Sequence, residues 1–206
     1  MRSNARSGFT MLEVALSITL LAIVRVKISG AISSATDVAE EDAAQVTLET
    51  QARRVLRQIG FAVMGSHPGS LVPDITRPNS TSDLRFQVSL GVEDGEVVWS
   101  EPEMVAMEEL QQQIYWSDNP EAADERRVIW TNLVAPFLEG ELPNGLDDNG
   151  NGLIDEKGLS FTIDRNSVDM KLTLERVRDD GTVVHSTVET VVTCRNTING
   201  WGTAER

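Results

Sequence analysis

Residues 9–24 read FTMLEVALSITLLAIV, sixteen positions of which Glu13 alone is charged. Such a run is apolar on every side, which suits a helix covered by lipid or by other helices rather than by water. Before it stands MRSNARSG, residues 1–8, with Arg2 and Arg6 and no acid; after it come Arg25 and Lys27. A secretory signal would follow its apolar run with a small-residue cleavage site, and none stands after Val24. Proline is absent from residues 9–66. Small or apolar residues continue at helical spacing through Ile28, Ile32, Ala35, Ala39, Val46, Ala52, Leu56, Ile59 and Val63. Asp37, Glu40, Glu41, Asp42, Glu49, Arg53, Arg54 and Arg57 fill the opposite face. The pattern predicts one long helix ending near Gly65, with Gly30 its weakest point.

Gly8, Phe9-Thr10-Met11-Leu12 and Glu13, the acid standing fifth after the glycine, resemble the leader of type IV prepilins and of the pseudopilins of type II secretion. The resemblance implies that a membrane aspartyl prepilin peptidase cuts Gly8–Phe9 and methylates the new amine of Phe9. It further implies that Glu13 meets the Phe9 amine of a neighbouring subunit and sets register during assembly. A plainer role for Glu13, favouring the positive end of the helix dipole, is compatible with this. The implied organisation is a leader at 1–8, a transmembrane and assembly helix at 9–28, the soluble half of the same helix at 29–65, and a β-rich head at 66–206. The precursor would sit once through the inner membrane, its head on the extracytoplasmic side, and later join a filament with other pilin or pseudopilin subunits. By resemblance the layout is that of a J-type minor pseudopilin or a comparable minor pilin, with the helix laid across an antiparallel sheet. The apolar run is short: sixteen residues make about 24 Å of helix, against ~30 Å of hydrocarbon. Arg25 and Lys27 would have to snorkel.

Beyond the helix, residues 66–82 hold three prolines and many turn formers and read as a loop. Strand patterns follow at 84–90, 96–99, 113–116, 128–131, 159–163, 168–177 and 183–192. Leu84, Phe86, Val88 and Leu90 alternate with polar residues, as do Val168, Met170, Leu172 and Leu174. Asp179-Asp180-Gly181 predicts a tight hairpin, and 104–112 a short helical turn. Trp99, Trp116 and Trp130 fall in strands, Cys194 reads as a small buried strand residue, and Trp201 is a candidate partner contact. One helix followed by antiparallel strands gives the α+β class.

The candidate metal loop, 144–158, contains Asn144-Gly145-Leu146-Asp147-Asp148-Asn149-Gly150-Asn151-Gly152-Leu153-Ile154-Asp155-Glu156. Asp147, Asn149 and Asn151 stand two apart before Gly152, the opening of the EF-hand pattern. With the Leu153 carbonyl, Asp155 and Glu156 they form a predicted Ca²⁺ ligand set; Mg²⁺ prefers fewer carboxylates and more water. Gly158 stands where an EF-hand places its closing glutamate, so the loop is closer to the shorter calcium loops of extracellular bacterial proteins, which it resembles. Ile154 is expected to anchor the loop and Asp148 to point away. A metal-free turn rich in Asn, Asp and Gly is the plain alternative.

Composition sets the remaining bounds. Of 206 residues, 40% are hydrophobic and 24% charged, with a formal net charge of −14. Removing the leader with its two arginines makes that −16. Such acidity excludes the basic footprint of a nucleic-acid binder. A single cysteine excludes an intrachain disulfide, and His67 and His185 offer little for imidazole chemistry. Phosphate-binding glycine loops and a nucleophile elbow are absent from the sequence. A structural subunit rather than an enzyme is expected, with a filament-tip adhesin or substrate receptor on the same anchor as the alternative.

Overall fold

The computed structural model describes residues 10–195. Helix α1, Met11–Gly65, runs unbroken through Gly30 for 55 residues. Among the described residues nine strands follow: β1 (Asp83–Phe86), β2 (Ser89–Glu93), β3 (Glu96–Trp99), β4 (Glu103–Glu108), β5 (Gln113–Asp118), β6 (Arg126–Thr131), β7 (Leu159–Asp164), β8 (Ser167–Val177) and β9 (Val183–Thr193). The α+β class holds. By its internal contacts the chain divides after Ala43 into two units. In the first, every described residue is exposed.

In the second unit α1 buries Leu48, Ala52, Val55, Leu56, Ile59, Gly60 and Val63, a stripe recurring every three or four residues. Arg53, Arg54 and Arg57 lie on its wet side, as the charge pattern predicts. Val46, which the same pattern places on the apolar face, is exposed instead. Beneath the helix two antiparallel sheets meet edge to edge. One has strand order β1-β4-β5-β6 and the other β7-β8-β9. Thr81 and Phe161 exchange backbone hydrogen bonds of 3.1 and 2.8 Å where the sheets join. Leu84, Phe86, Val105 and Ile114 from the first sheet share the core with Phe161, Met170, Leu172 and Leu174 from the second. Each such side chain contributes roughly 1.5–3 kcal/mol on burial.

The last strand closes this layer. β9 pairs with β8 along its whole length, from Val177↔Val183 to Ser167↔Thr193. A Cβ added to Gly60 on α1 would lie 3.2 Å from a methyl of Val192, so helix and strand touch closely there. Arg195 N–H donates to the Met64 carbonyl at 3.2 Å. Asp180 and Gly181 turn the β8–β9 hairpin as the sequence predicts: Thr182 N–H donates to Asp180 Oδ1 at 2.9 Å, and Gly181 takes a φ of +83°.

The structure corrects several expectations. The strand predicted at 84–90 is two strands, because Val88 N–H donates to Ser100 Oγ at 3.0 Å and leaves the β1 ladder for the β2–β3 hairpin. Leu90, expected inward, is therefore exposed. The helical turn predicted at 104–112 is β4 followed by a turn at 109–112. Met104, Val105, Ala106 and Met107 are all buried, and β4 pairs with both β1 and β5. Ladder bonds on both sides outweigh the local helical preference of Met, Ala and Glu. Cys194 is buried but lies just beyond β9, its N–H donating to the Asn166 carbonyl at 2.8 Å.

Candidate functional site

Two places carry the residues that the sequence singles out: the start of α1 and the acidic loop. Gly8, Phe9 and Trp201 lie outside the described residues. Thr10 caps α1. Its Oγ1 accepts from Glu13 N–H at 3.3 Å, while the Glu13 carboxylate accepts from Thr10 N–H at 2.9 Å and from its hydroxyl at 3.0 Å. This reciprocal capping box satisfies two donors that the first turn would otherwise leave open. The threonine-x-x-glutamate spacing was present in the sequence to be read. Downstream, Met11, Leu12, Val14, Leu16, Ile18, Leu20, Leu21, Ile23, Val24, Val26, Ile28 and Ile32 are all exposed, Met11 at 94% and Leu21 at 71%. Among the described residues no helix is long and apolar enough to cross a membrane. Glu13, Arg25 and Lys27 punctuate the run that comes nearest.

The acidic loop is built on its own hydrogen bonds. Asp147 Oδ1 accepts from Gly150 N–H at 2.8 Å and Asn151 N–H at 3.1 Å, and its Oδ2 from Gly152 N–H at 2.8 Å. Asn149 Oδ1 accepts from Asn151 N–H at 3.1 Å, and Asn151 Oδ1 from Leu153 N–H at 2.9 Å. Positive φ at Gly150 and Gly152 lets the chain curl around Asp147. Asp155 faces another turn: both its oxygens accept, at 2.9–3.0 Å, from the backbone N–H groups of Asn144 and Gly145. Asp148, expected to point away, is also bonded, its Oδ2 accepting from Leu142 N–H and Asn144 Nδ2. The anchor is Leu153, 1% exposed, whereas Ile154 is 36% exposed. Ile154 N–H donates instead to the Pro78 carbonyl at 3.1 Å, which turns its side chain outward.

Glu156 is wholly buried. Its Oε2 accepts from Asn151 Nδ2 at 2.8 Å, and its Oε1 lies 3.5 Å from Lys171 Nζ on β8. Arg77 ties the loop to the same strand, donating to the Asn151 carbonyl and to Asp169, both at 2.7 Å. A further carboxylate, Glu141, joins from outside the motif: 5% exposed, its Oε1 accepts from Asn149 N–H at 3.1 Å. Burial pushes its carboxyl above the ordinary range. The charges of Glu156, Asp148 and Asp147 push the same way, opposed by the Asn149 N–H. The loop thus gathers Asp147, Asn149, Asn151 and Glu156 with Glu141 and turns Asp155 aside. Among the described residues no group of three or more His, Cys, Asp or Glu side chains is placed to hold a metal by itself. Any ion here would draw on amide and carbonyl oxygens as well.

No family model, curated protein or solved structure matches this chain.

Other polar contacts join neighbouring strands and turns. Trp116 Nε1–H donates to Glu103 at 2.7 Å across the β4–β5 pair. Ser117 Oγ–H and Arg127 Nε–H both donate to Glu125 Oε1 at 2.6 Å and hold its carboxyl down to about 2. His67 accepts from Gly69 N–H, and His185 stands 3.8 Å from Glu175.

Proposed function

We propose that the chain is a structural subunit of a pilin-like filament, a minor pseudopilin or minor pilin, made as an inner-membrane precursor and matured by a prepilin peptidase. The observation that carries this reading is the start of α1. Between Met11 and Ile32, twelve large apolar side chains stand exposed. A stripe of that extent requires a cover from outside the chain. Helices of neighbouring subunits supply one after assembly, and lipid supplies one before. The sixteen apolar residues are short for lipid, so Arg25 and Lys27 extend to the headgroups and the helix rests better in a filament core. The glycine–phenylalanine–glutamate spacing at 8, 9 and 13 supports the same reading. In the precursor Glu13 closes a capping box with Thr10. In the filament it takes the Phe9 amine of a neighbour. The acidic head stays outside the cytoplasm and performs no chemistry of its own.

The test is mass spectrometry of the chain expressed in cells that carry a prepilin peptidase. A mature N-terminus at methylated Phe9 is expected, lost in a Gly8→Asp variant, while Glu13→Val leaves cleavage intact but abolishes co-assembly with other subunits. An intact leader in such cells overturns the proposal.

A further inference from the structure

The loop at 141–156 carries five carboxylates, and its hydrogen bonds satisfy three of them. Asp147, Asp148 and Asp155 all accept from donors of the loop itself or of the residues leading into it. Glu141 and Glu156 are different. They are the most deeply buried of the five, yet Glu141 Oε2 and Glu156 Oε1 have no hydrogen-bond donor. Both are aimed at the same short turn. The other oxygen of Glu141 holds Asn149 N–H, and the other oxygen of Glu156 holds the Asn151 amide. Among the described residues Lys171, at 3.5 Å from Glu156, is the one cationic side chain found paired with either, and brings a single charge to two buried carboxylates. Leaving a carboxylate oxygen dry and without a donor is costly, and repulsion between the two adds to the cost.

We propose that Glu141 and Glu156 hold a calcium ion against the Asn149–Gly150–Asn151 turn, with amide and carbonyl oxygens of the loop completing the shell. The donor set selects the ion. Calcium accepts six to eight hard oxygens in irregular arrangement, whereas magnesium demands a near-ideal octahedron and retains water. Zinc favours nitrogen and sulfur, and the loop offers neither histidine nor cysteine. Glu141 takes the part that an EF-hand gives to its closing glutamate, from the opposite end of the loop. The ion would fasten the loop to β8 through Glu156 and Lys171. This inference is independent of the filament reading, since processing at Gly8 does not require an ordered loop.

The test is calorimetric titration of the full-length chain in detergent with calcium chloride, beside magnesium chloride. Thermal melts in calcium and in chelator, followed by tryptophan fluorescence, accompany it. One calcium per chain is expected, with a dissociation constant of ~10⁻⁴–10⁻³ M, a melting point several degrees higher in calcium, and no such rise in magnesium. Glu141→Gln should weaken calcium at least tenfold yet melt no lower than the parent in chelator, because it removes a repelling charge. A parent chain whose titration and melt ignore calcium overturns the proposal. So does a folded Glu141→Gln variant that binds calcium as the parent does, the result expected if Glu141 is simply a protonated core residue.

Discussion

Gly158 shows how one position can set the terms for a loop. A Cβ there would lie 1.8 Å from the Ala135 carbonyl oxygen, so the backbones of the two segments approach as closely as glycine permits. An EF-hand glutamate has no room at this place. Gly158→Ala should therefore cost about 3–5 kcal/mol, read as a fall in the urea midpoint of the full chain. The glycine was legible in the sequence as a departure from the EF-hand pattern; its reason was not, because Ala135 lies more than twenty residues upstream. Glu141 was missed for a similar cause: nothing in Leu138-Glu139-Gly140-Glu141 marks one acid for burial, and the fold alone brings it back over Asn149. Leu153 and Ile154 are adjacent and equally apolar, and sequence could not choose between them. Glu125 offers a pH test. Its carboxyl is held at about 2 by Arg127 and Ser117, below the ordinary 4.5. The stability it contributes is complete above pH 4.5 and lost as pH falls toward 2. The gap between the parent and Glu125→Gln in urea denaturation should be constant near neutrality and close across that acid window.

At the scale of elements, α1 is two helices in environment though one in backbone. Within the second unit its buried stripe is the centre of the core. Ile59→Ala should cost 2–5 kcal/mol, about what an enclosed aliphatic loses. Val46→Ala, at an exposed position, should stay within about 0.5 kcal/mol. Urea midpoints of the two variants check both. The helix was legible because proline is absent, apolar or small residues recur at helical spacing, and Gly65 ends the pattern. β7, β8 and β9 were legible because their alternation is long and a tight turn joins the last two. The errors fall where pattern is short. Residues 84–90 alternate perfectly, yet the chain changes sheets at Val88 because the Ser100 hydroxyl intercepts its N–H. Residues 104–107 are apolar on consecutive positions, which periodicity cannot assign. β4 takes its state from the ladders of β1 and β5, and a single sequence does not display those partners.

For the molecule as a whole, the α+β class was readable from element order, while the join of two sheets through Thr81 and Phe161 was not, since no local pattern marks an edge as shared. The formal charge of −14 acts at this scale too. Self-repulsion among exposed carboxylates opposes the folded state, and about 0.1 M salt shortens its reach to ~10 Å. The melting point should therefore rise by a few degrees between 10 and 300 mM sodium chloride, followed by tryptophan fluorescence. The position of β9 also has a consequence in time. This strand seals the helix face that holds Gly60 and completes the β8 ladder, yet the ribosome makes it more than a hundred residues after the helix. Until translation has passed residue 193, the β8 edge stays unpaired and Gly60 lacks the Val192 methyl that packs against it. A chain ended before that codon leaves the long edge of β8 open to strand pairing by other chains.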